Sequence, residues 1–233
     1  MFISVIIPIY NEKKVLVKNI NKIYDFFSGK YDFEIVAIDD ASTDNSKALL
    51  QSIQYKNLSI LKNEINLGKG YSIIKGIKAC SGNIILLTDA DLSSPIIEIE
   101  KLLQEYNEGY DIVIGSRNME NSIINIKQNF LRICVGKIFN FLVRVILGLK
   151  YHDTQCGFKL FNSKKINEIL ESLNVNRFCI DVEILYIAKK LNFKVSEVGI
   201  KWDHNNNSSV NILSDSINMF FDLIKIRFRN YKI

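Results

Sequence analysis

The sequence predicts an α/β fold with a mostly parallel central sheet and helices on both faces. Three observations point there. Strand-length aliphatic runs alternate with segments at helical spacing through the first 116 residues, and such alternation implies right-handed βαβ units. One run, Ile84-Ile85-Leu86-Leu87, is aliphatic throughout, as in a strand buried on both faces. Finally, Tyr10, Asp39, Asp89 and Arg117 fall at or just past the carboxyl ends of predicted strands, where open α/β sheets bind their ligands.

Taken in order, Phe2–Tyr10 reads as a strand and Lys13–Phe27 as a helix. Phe33–Asp39 is a second strand, and Asp44–Tyr55 a helix that Thr43 or Asp44 can cap. Leu58–Leu61 is a short strand, and Gly68–Cys80 a helix opened by a glycine turn. The central strand Ile84–Asp89 precedes a helix over Pro95–Asn107, with proline in its first turn, and Ile112–Ser116 is the next strand. Further on, Phe130–Leu149 is an apolar helix with Lys137, Asn140 and Arg144 on one narrow face. A last helix, about Asn211–Arg229, carries a wide apolar arc (Ile212, Leu213, Ile217, Met219, Phe220, Leu223, Ile224, Phe228) opposite Ser214, Asp215, Asn218, Asp222, Lys225 and Arg229. Both helices suit either a core or dimer interface or a membrane surface.

The chain has 233 residues, two of them prolines (Pro8 and Pro95), and no linker-like tract, so one domain over 1–233 is expected. It is 48% hydrophobic and 24% charged, which excludes a disordered chain. No apolar run reaches the roughly 18 residues that span a bilayer. Met1-Phe2-Ile3-Ser4-Val5 lacks the basic leader of a signal peptide. Cys80, Cys134, Cys156 and Cys179 are unevenly spaced with no C-x-x-C, as expected of reduced cytosolic thiols. A net charge of +5 suits a polyanionic or membrane-surface partner; no nucleic-acid partner is expected.

Five clusters carry chemistry. Asp89-Ala90-Asp91 closes the central strand, and two carboxylates there suit Mg²⁺ or Mn²⁺ shared with a phosphate ligand. Pro8-Ile9-Tyr10-Asn11-Glu12 offers a ring to stack on a base and a carboxylate to accept ring N–H groups. Asp39-Asp40-Ala41-Ser42-Thr43-Asp44 sets two aspartates against an aliphatic strand, where they repel unless neutralised or hydrogen-bonded. Asn66-Leu67-Gly68-Lys69-Gly70 is a glycine turn whose N–H groups and lysine favour phosphate or ribose oxygens. Gly115-Ser116-Arg117 puts a guanidinium beside the carboxylates, able to hold an anion with two prongs; an ion pair with Asp111 or Glu120 is the structural alternative. His152 and His204 share no metal-ligand spacing and read as bystanders.

Together with Asp153-Thr154-Gln155-Cys156-Gly157-Phe158-Lys159-Leu160-Phe161 and Asp181-Val182-Glu183-Ile184-Leu185, these clusters resemble a family 2 glycosyltransferase. The resemblance is to the polyprenyl-phosphate (dolichyl-phosphate) branch, glucosyl members more than mannosyl ones, and runs from Phe2 to about Arg229. It implies a GT-A nucleotide-diphospho-sugar transferase fold, with donor binding in residues 1–117 and the acceptor side in 118–233. Residues matching Pro8, Tyr10, Glu12 and Asp39 hold the nucleobase; those matching Gly68 and Lys69 line the nucleoside pocket. Asp89, Ala90 and Asp91 match the stretch that holds ribose and metal-bound diphosphate, while Arg117 and Arg132 match arginines that hold the acceptor phosphate. Mannosyl relatives often carry a glutamine where this chain has Ser93, so UDP-glucose is favoured over GDP-mannose.

An anionic lipid phosphate needs no strong base, so Arg117 and Arg132 are expected to bring two anions together. Asp181, with Asp153 competing, is the candidate base or acceptor-positioning group. The alternatives are transfer to a sugar hydroxyl of a surface glycan, which needs a dedicated base, or a nucleotide-sugar-binding protein without catalysis. The expected location is the cytoplasmic membrane face, held peripherally by Lys137, Arg144, Arg227, Arg229, Phe228 and Tyr231, or through a homodimer or membrane-protein partner.

Overall fold

The structure, a computed structural model, describes residues 1–126, 129–204 and 212–232. Asn211 and the side chains of Ile212, Leu213 and Ser214 lie outside the described residues.

The first half follows the expected order: β1 (Phe2–Ile9), α1 (Leu16–Phe27), β2 (Asp32–Asp39), α2 (Ser46–Gln51), β3 (Leu58–Lys62), α3 (Lys69–Ala79), β4 (Ile84–Leu87), α4 (Ile99–Asn107) and β5 (Ile112–Ser116). A short 3₁₀ turn at Ile96–Glu98 leads into α4. The second half adds β6 (Ile123–Ile124), α5 (Phe130–Leu147), β7 (Lys159–Asn162), α6 (Ser163–Ile169), α7 (Ile180–Lys190), β8 (Val195–Gly199), β9 (Lys201–Trp202) and α8 (Ile212–Phe228).

Seven strands form one sheet in the order β3-β2-β1-β4-β7-β5-β8. β1 pairs in parallel with both β2 and β4. β7 breaks the pattern by running antiparallel to β4 on one side and to β5 on the other. β6 and β9 form a separate parallel pair. Strand alternation divides the core between two faces: Ile3, Val5, Ile7 and Ile9 point toward the layer of α1 and α4, while Ile6, Val36 and Ile38 point toward that of α3 and α7.

Helices α5 and α8 pack together over that second face through Phe139, Val143, Leu147, Leu223 and Ile226. Their outer faces stay apolar and exposed. Phe130 is 79% exposed and Phe228 81%, with Ile138, Phe141, Val145, Ile217 and Phe221 also open to solvent. Two expected surface anchors turn inward instead: Tyr231 is buried, and Arg229 pairs with Glu183 at 3.0 Å. The buried Glu183 carboxylate draws both, because an ionised group out of water needs donors.

The turn opening α3 is the tightest backbone contact that bears on the site. A Cβ on Gly70 would lie 2.3 Å from the Val175 carbonyl oxygen, and one on Gly68 2.5 Å from that of Asn176. Gly70→Ala should lower the melting temperature by about 3–10 °C, since overpacking costs about 1–3 kcal/mol and each kcal/mol moves a chain of this size by about 2–4 °C. Gly136→Ala, in open space on α5, should hold or raise it; differential scanning fluorimetry on both variants checks the contrast.

Candidate active site

The backbone bends sharply where the strands end. Asn11, Ala41 and Leu92 have φ values of 59°, 55° and 49°, just past β1, β2 and β4. Left-handed backbone at non-glycine residues is strained and tends to gather at functional sites. Here it turns the chain so that side chains from three strand ends converge. Asn11 Oδ1 accepts the backbone N–H groups of Thr43 (2.8 Å) and Asp44 (3.2 Å), tying the first two turns together.

Asp89 is the centre of the crevice. Lys69 Nζ donates to its Oδ1 at 2.6 Å. Burial acts to raise the Asp89 pKa but is outweighed by Lys69, Lys159 and Arg117, which hold it below the usual carboxylate value. Gly157 lies directly against the carboxylate: a Cβ there would fall 2.1 Å from Oδ2. Asp91 accepts the Ser93 N–H at 2.9 Å and the Ser93 hydroxyl at 2.8 Å. Ser93 therefore orients this carboxylate. Burial and the charge of Asp89 raise the Asp91 pKa.

Glu12 faces the same negative field. Burial, then Asp91, Asp89 and Asp44, push its carboxyl from 4.5 up to about 7. The two carboxylates of the turn, Asp89 and Asp91, are hard oxygen donors of the kind that divalent cations take. Among the described residues no group of three His, Cys, Asp or Glu side chains is placed to hold a metal ion.

Cations line the opposite side. Arg117 forms a two-pronged pair with Asp153, Nε to Oδ2 at 2.6 Å and Nη2 to Oδ1 at 2.8 Å, and its backbone N–H also reaches Oδ2. The partner is thus Asp153 rather than Asp111, which accepts the Lys194 N–H, or Glu120. The guanidinium rests over the Trp202 ring, 5.3 Å from its centroid. Arg132 enters from α5: burial and then the nearby Arg117 lower its pKa, with Asp91 opposing. His204 feels the same neighbours, Arg132 and Asp91, after burial. No motif or spacing in the sequence marks Trp202 or His204 as part of the site.

Asp181, in the first turn of α7, is held by Lys159 Nζ at 2.6 Å, both side chains almost fully buried. The same ammonium also donates to the Cys156 carbonyl. Asp39 is buried at the end of β2, its carboxylate 3.4 Å from the Ser42 N–H. Its neighbour Asp40 takes the larger structural part, accepting from Asn63 (2.7 Å), Leu67 N–H (2.9 Å) and Gly68 N–H (2.8 Å). The expectation that the glycine turn offers its N–H groups to phosphate fails for Leu67 and Gly68, because Asp40 uses both. Tyr10 is partly exposed at the strand end, Pro8 is registered opposite Ile38, and Ala90 is buried with its carbonyl accepting from Asn19.

The sheet ends in an acidic turn faced by basic side chains, and the sequence match makes the chain a glycosyltransferase. The chain belongs to Glycosyl transferase family 2, whose family model matches residues 4–170. The dolichyl-phosphate beta-glucosyltransferase of Dictyostelium discoideum is 34% identical across 98% of this chain and 75% of its own. The Saccharomyces cerevisiae protein of that name is also 34% identical, across 97% and 74%, and the Homo sapiens one 30%, across 97% and 75%. Glucosyl-3-phosphoglycerate synthase from Mycobacterium tuberculosis, solved with Mn²⁺, uridine diphosphate and glucosyl-3-phosphoglycerate, shares the fold. Its TM-score is 0.73 at 18% identity, over 97% of this chain and 79% of that one.

The raised Glu12 pKa sets a pH dependence. The folded state holds this proton more tightly than the unfolded chain, so stability falls as pH rises from about 4.5 through about 7. Melting temperatures in chelator across that window should decline for the native protein, and Glu12→Gln should flatten that decline.

Proposed function

We propose that the protein is a metal-dependent, inverting glucosyltransferase that moves glucose from UDP-glucose to a polyprenyl (dolichyl-type) phosphate. The observation that carries this is the meeting of a carboxylate turn, Asp89 and Asp91, with the arginines Arg117 and Arg132 across one crevice. The names of the full-length relatives support the sugar and the acceptor. The Mn²⁺ and uridine diphosphate bound in the mycobacterial synthase support the donor and the metal.

Residues 1–117 bind the donor in this reading. Tyr10 stacks on the base, with Pro8, Glu12 and Asp39 forming that end of the pocket, and Gly68 with Lys69 borders the nucleoside. Asp89 and Asp91 would hold Mg²⁺ or Mn²⁺, which when bound stabilises negative charge growing on the leaving diphosphate. Lys69 keeps Asp89 ionised and fixed in place. Attack from the opposite face turns an α-linked donor into a β-linked product. Residues 118–233, with Arg117 at the boundary, serve the acceptor: Arg117 and Arg132 draw its phosphate to the donor without removing its negative charge. Asp153 aims Arg117, and Asp181 acts through Lys159 as a positioning group. Both carboxylates already pair with cations, which weighs against either as the dedicated base that a sugar-hydroxyl acceptor requires.

Reaching such an acceptor requires a bilayer. No helix among the described residues is long and apolar enough to cross one. The exposed outer faces of α5 and α8 suit resting on its cytoplasmic surface, with Lys137 and Arg227 near anionic lipid.

Two measurements test this reading. Incubating the protein with a panel of labelled nucleotide sugars and short polyprenyl phosphates should give label in the lipid extract from UDP-glucose with Mn²⁺. Asp91→Asn should reduce turnover at least about 100-fold with little change in melting temperature. Full activity in excess chelator would sink the metal assignment. Separately, the protein should co-sediment with anionic liposomes at low salt and leave them at high salt, because each basic contact contributes about 1 kcal/mol that salt screens. Equal sedimentation with neutral vesicles, or none with either, would point to a homodimer or a membrane-protein partner.

A further inference from the structure

Glu183 lies on α7, fully buried, and has no part in the chemistry described above. Its carboxylate nevertheless satisfies four donors from two different places. Oε2 accepts the backbone N–H groups of Asn174 (2.9 Å) and Val175 (2.8 Å). Oε1 accepts Arg229 Nη1 (3.0 Å) and the Tyr231 hydroxyl (2.9 Å), both just beyond the end of α8. The tail is docked by further contacts: Arg227 donates to the Tyr186 hydroxyl at 3.2 Å, and the Tyr186 and Tyr231 rings meet edge to face at 6.2 Å.

The segment that Glu183 suspends is the one pressed against the glycine turn. Val175 and Asn176 carbonyls sit where Gly70 and Gly68 leave room for them, and the Asn176 carbonyl accepts the Tyr71 N–H at 3.0 Å in the first turn of α3. Between those two glycines stands Lys69, whose ammonium pairs with Asp89. Asp40 grips the same turn from the sheet side through the Leu67 and Gly68 N–H groups. The start of α3 is therefore clamped between two carboxylates: one at the end of β2, the other reached only through the 174–176 backbone.

We propose that Glu183 is a positioning residue for donor binding, coupling the docked tail after α8 to the placement of Lys69 against Asp89. This rests on the reading of Lys69 and Asp89 as donor-binding groups. A side chain on the far face of α7 thereby links the helix whose outer face is apolar to the geometry of the nucleotide-sugar pocket. Its substitution acts on the donor and leaves the acceptor alone.

The test uses the full chain and three variants: Glu183→Gln, which keeps volume but removes charge, Tyr231→Phe, which removes one hydroxyl, and Arg229→Lys, which keeps the cation. UDP affinity in Mn²⁺ is measured by calorimetry, with KM for UDP-glucose and for a short polyprenyl phosphate. Tyr231→Phe and Glu183→Gln should weaken UDP binding and raise donor KM about 3–10-fold, with acceptor KM within about twofold of native. Arg229→Lys should stay close to native. Should Glu183→Gln fail to fold, Tyr231→Phe decides, because it leaves the carboxylate and its other donors in place. Unchanged UDP affinity in a variant that melts earlier would overturn the proposal and make Glu183 purely structural, as would donor and acceptor KM rising together. If the native protein itself binds neither UDP nor GDP, the donor-site reading falls first and this coupling with it.

Discussion

The structure depends on neutralising carboxylates that the sheet carries out of water. Asp153, Asp181 and Glu183 are almost fully buried, and ionised groups in such positions are tolerable only with a cation or several donors beside them; Asp89, just past the end of β4, is partly open to solvent. Lys69 answers Asp89, Arg117 answers Asp153, and Lys159 answers Asp181. Asp40 is satisfied by the Leu67 and Gly68 N–H groups and Asn63, and Glu183 by two backbone N–H groups together with Arg229 and Tyr231. Each pairing also fixes a loop. Charge compensation and loop placement are here one problem with one solution.

The chemistry uses the places where compensation stops short. Glu12 and Asp91 both have raised pKa values because burial and neighbouring carboxylates act on them together. Across from them, Arg132 is pushed the other way by burial and by Arg117. Carboxylates on one wall and arginines on the other would suit, in the proposed reaction, a metal-bound diphosphate and an anionic acceptor in apposition. Strained turns after β1, β2 and β4 bring those walls within reach.

The first half of the fold was legible because its strands are plain aliphatic runs separated by helical spacing. β1, β2, β4 and β5 emerged within a residue or two, though β4 ends at Leu87 and leaves Thr88–Asp91 as the turn. β7 was hidden by Lys159, a buried charge where strand patterning demands an apolar residue, and its partner Asp181 lies 22 residues away. β8 was hidden because Ser196 and Glu197 break its apolar pattern, as an edge strand allows. Among site residues, the carboxylate turn and Arg117 carried local signals. The partners of Arg117 and Glu183 did not, since ion pairs between distant segments leave no spacing to read. Tyr231 and Arg229 looked like surface anchors for the same reason.

The antiparallel insertion of β7 bears on how the chain assembles. β4 and β5 are neighbours in sequence yet never touch in the sheet; the strand between them is supplied by residues 159–162. A nascent chain that has emerged only as far as β5 therefore carries two all-buried strands with unpaired edges facing a gap. Long-range strand pairing of this kind slows folding, and open apolar edges recruit other chains. The gap closes only when residues 159–162 pair with both strands, and the Lys159 ammonium they carry is the one that meets Asp181.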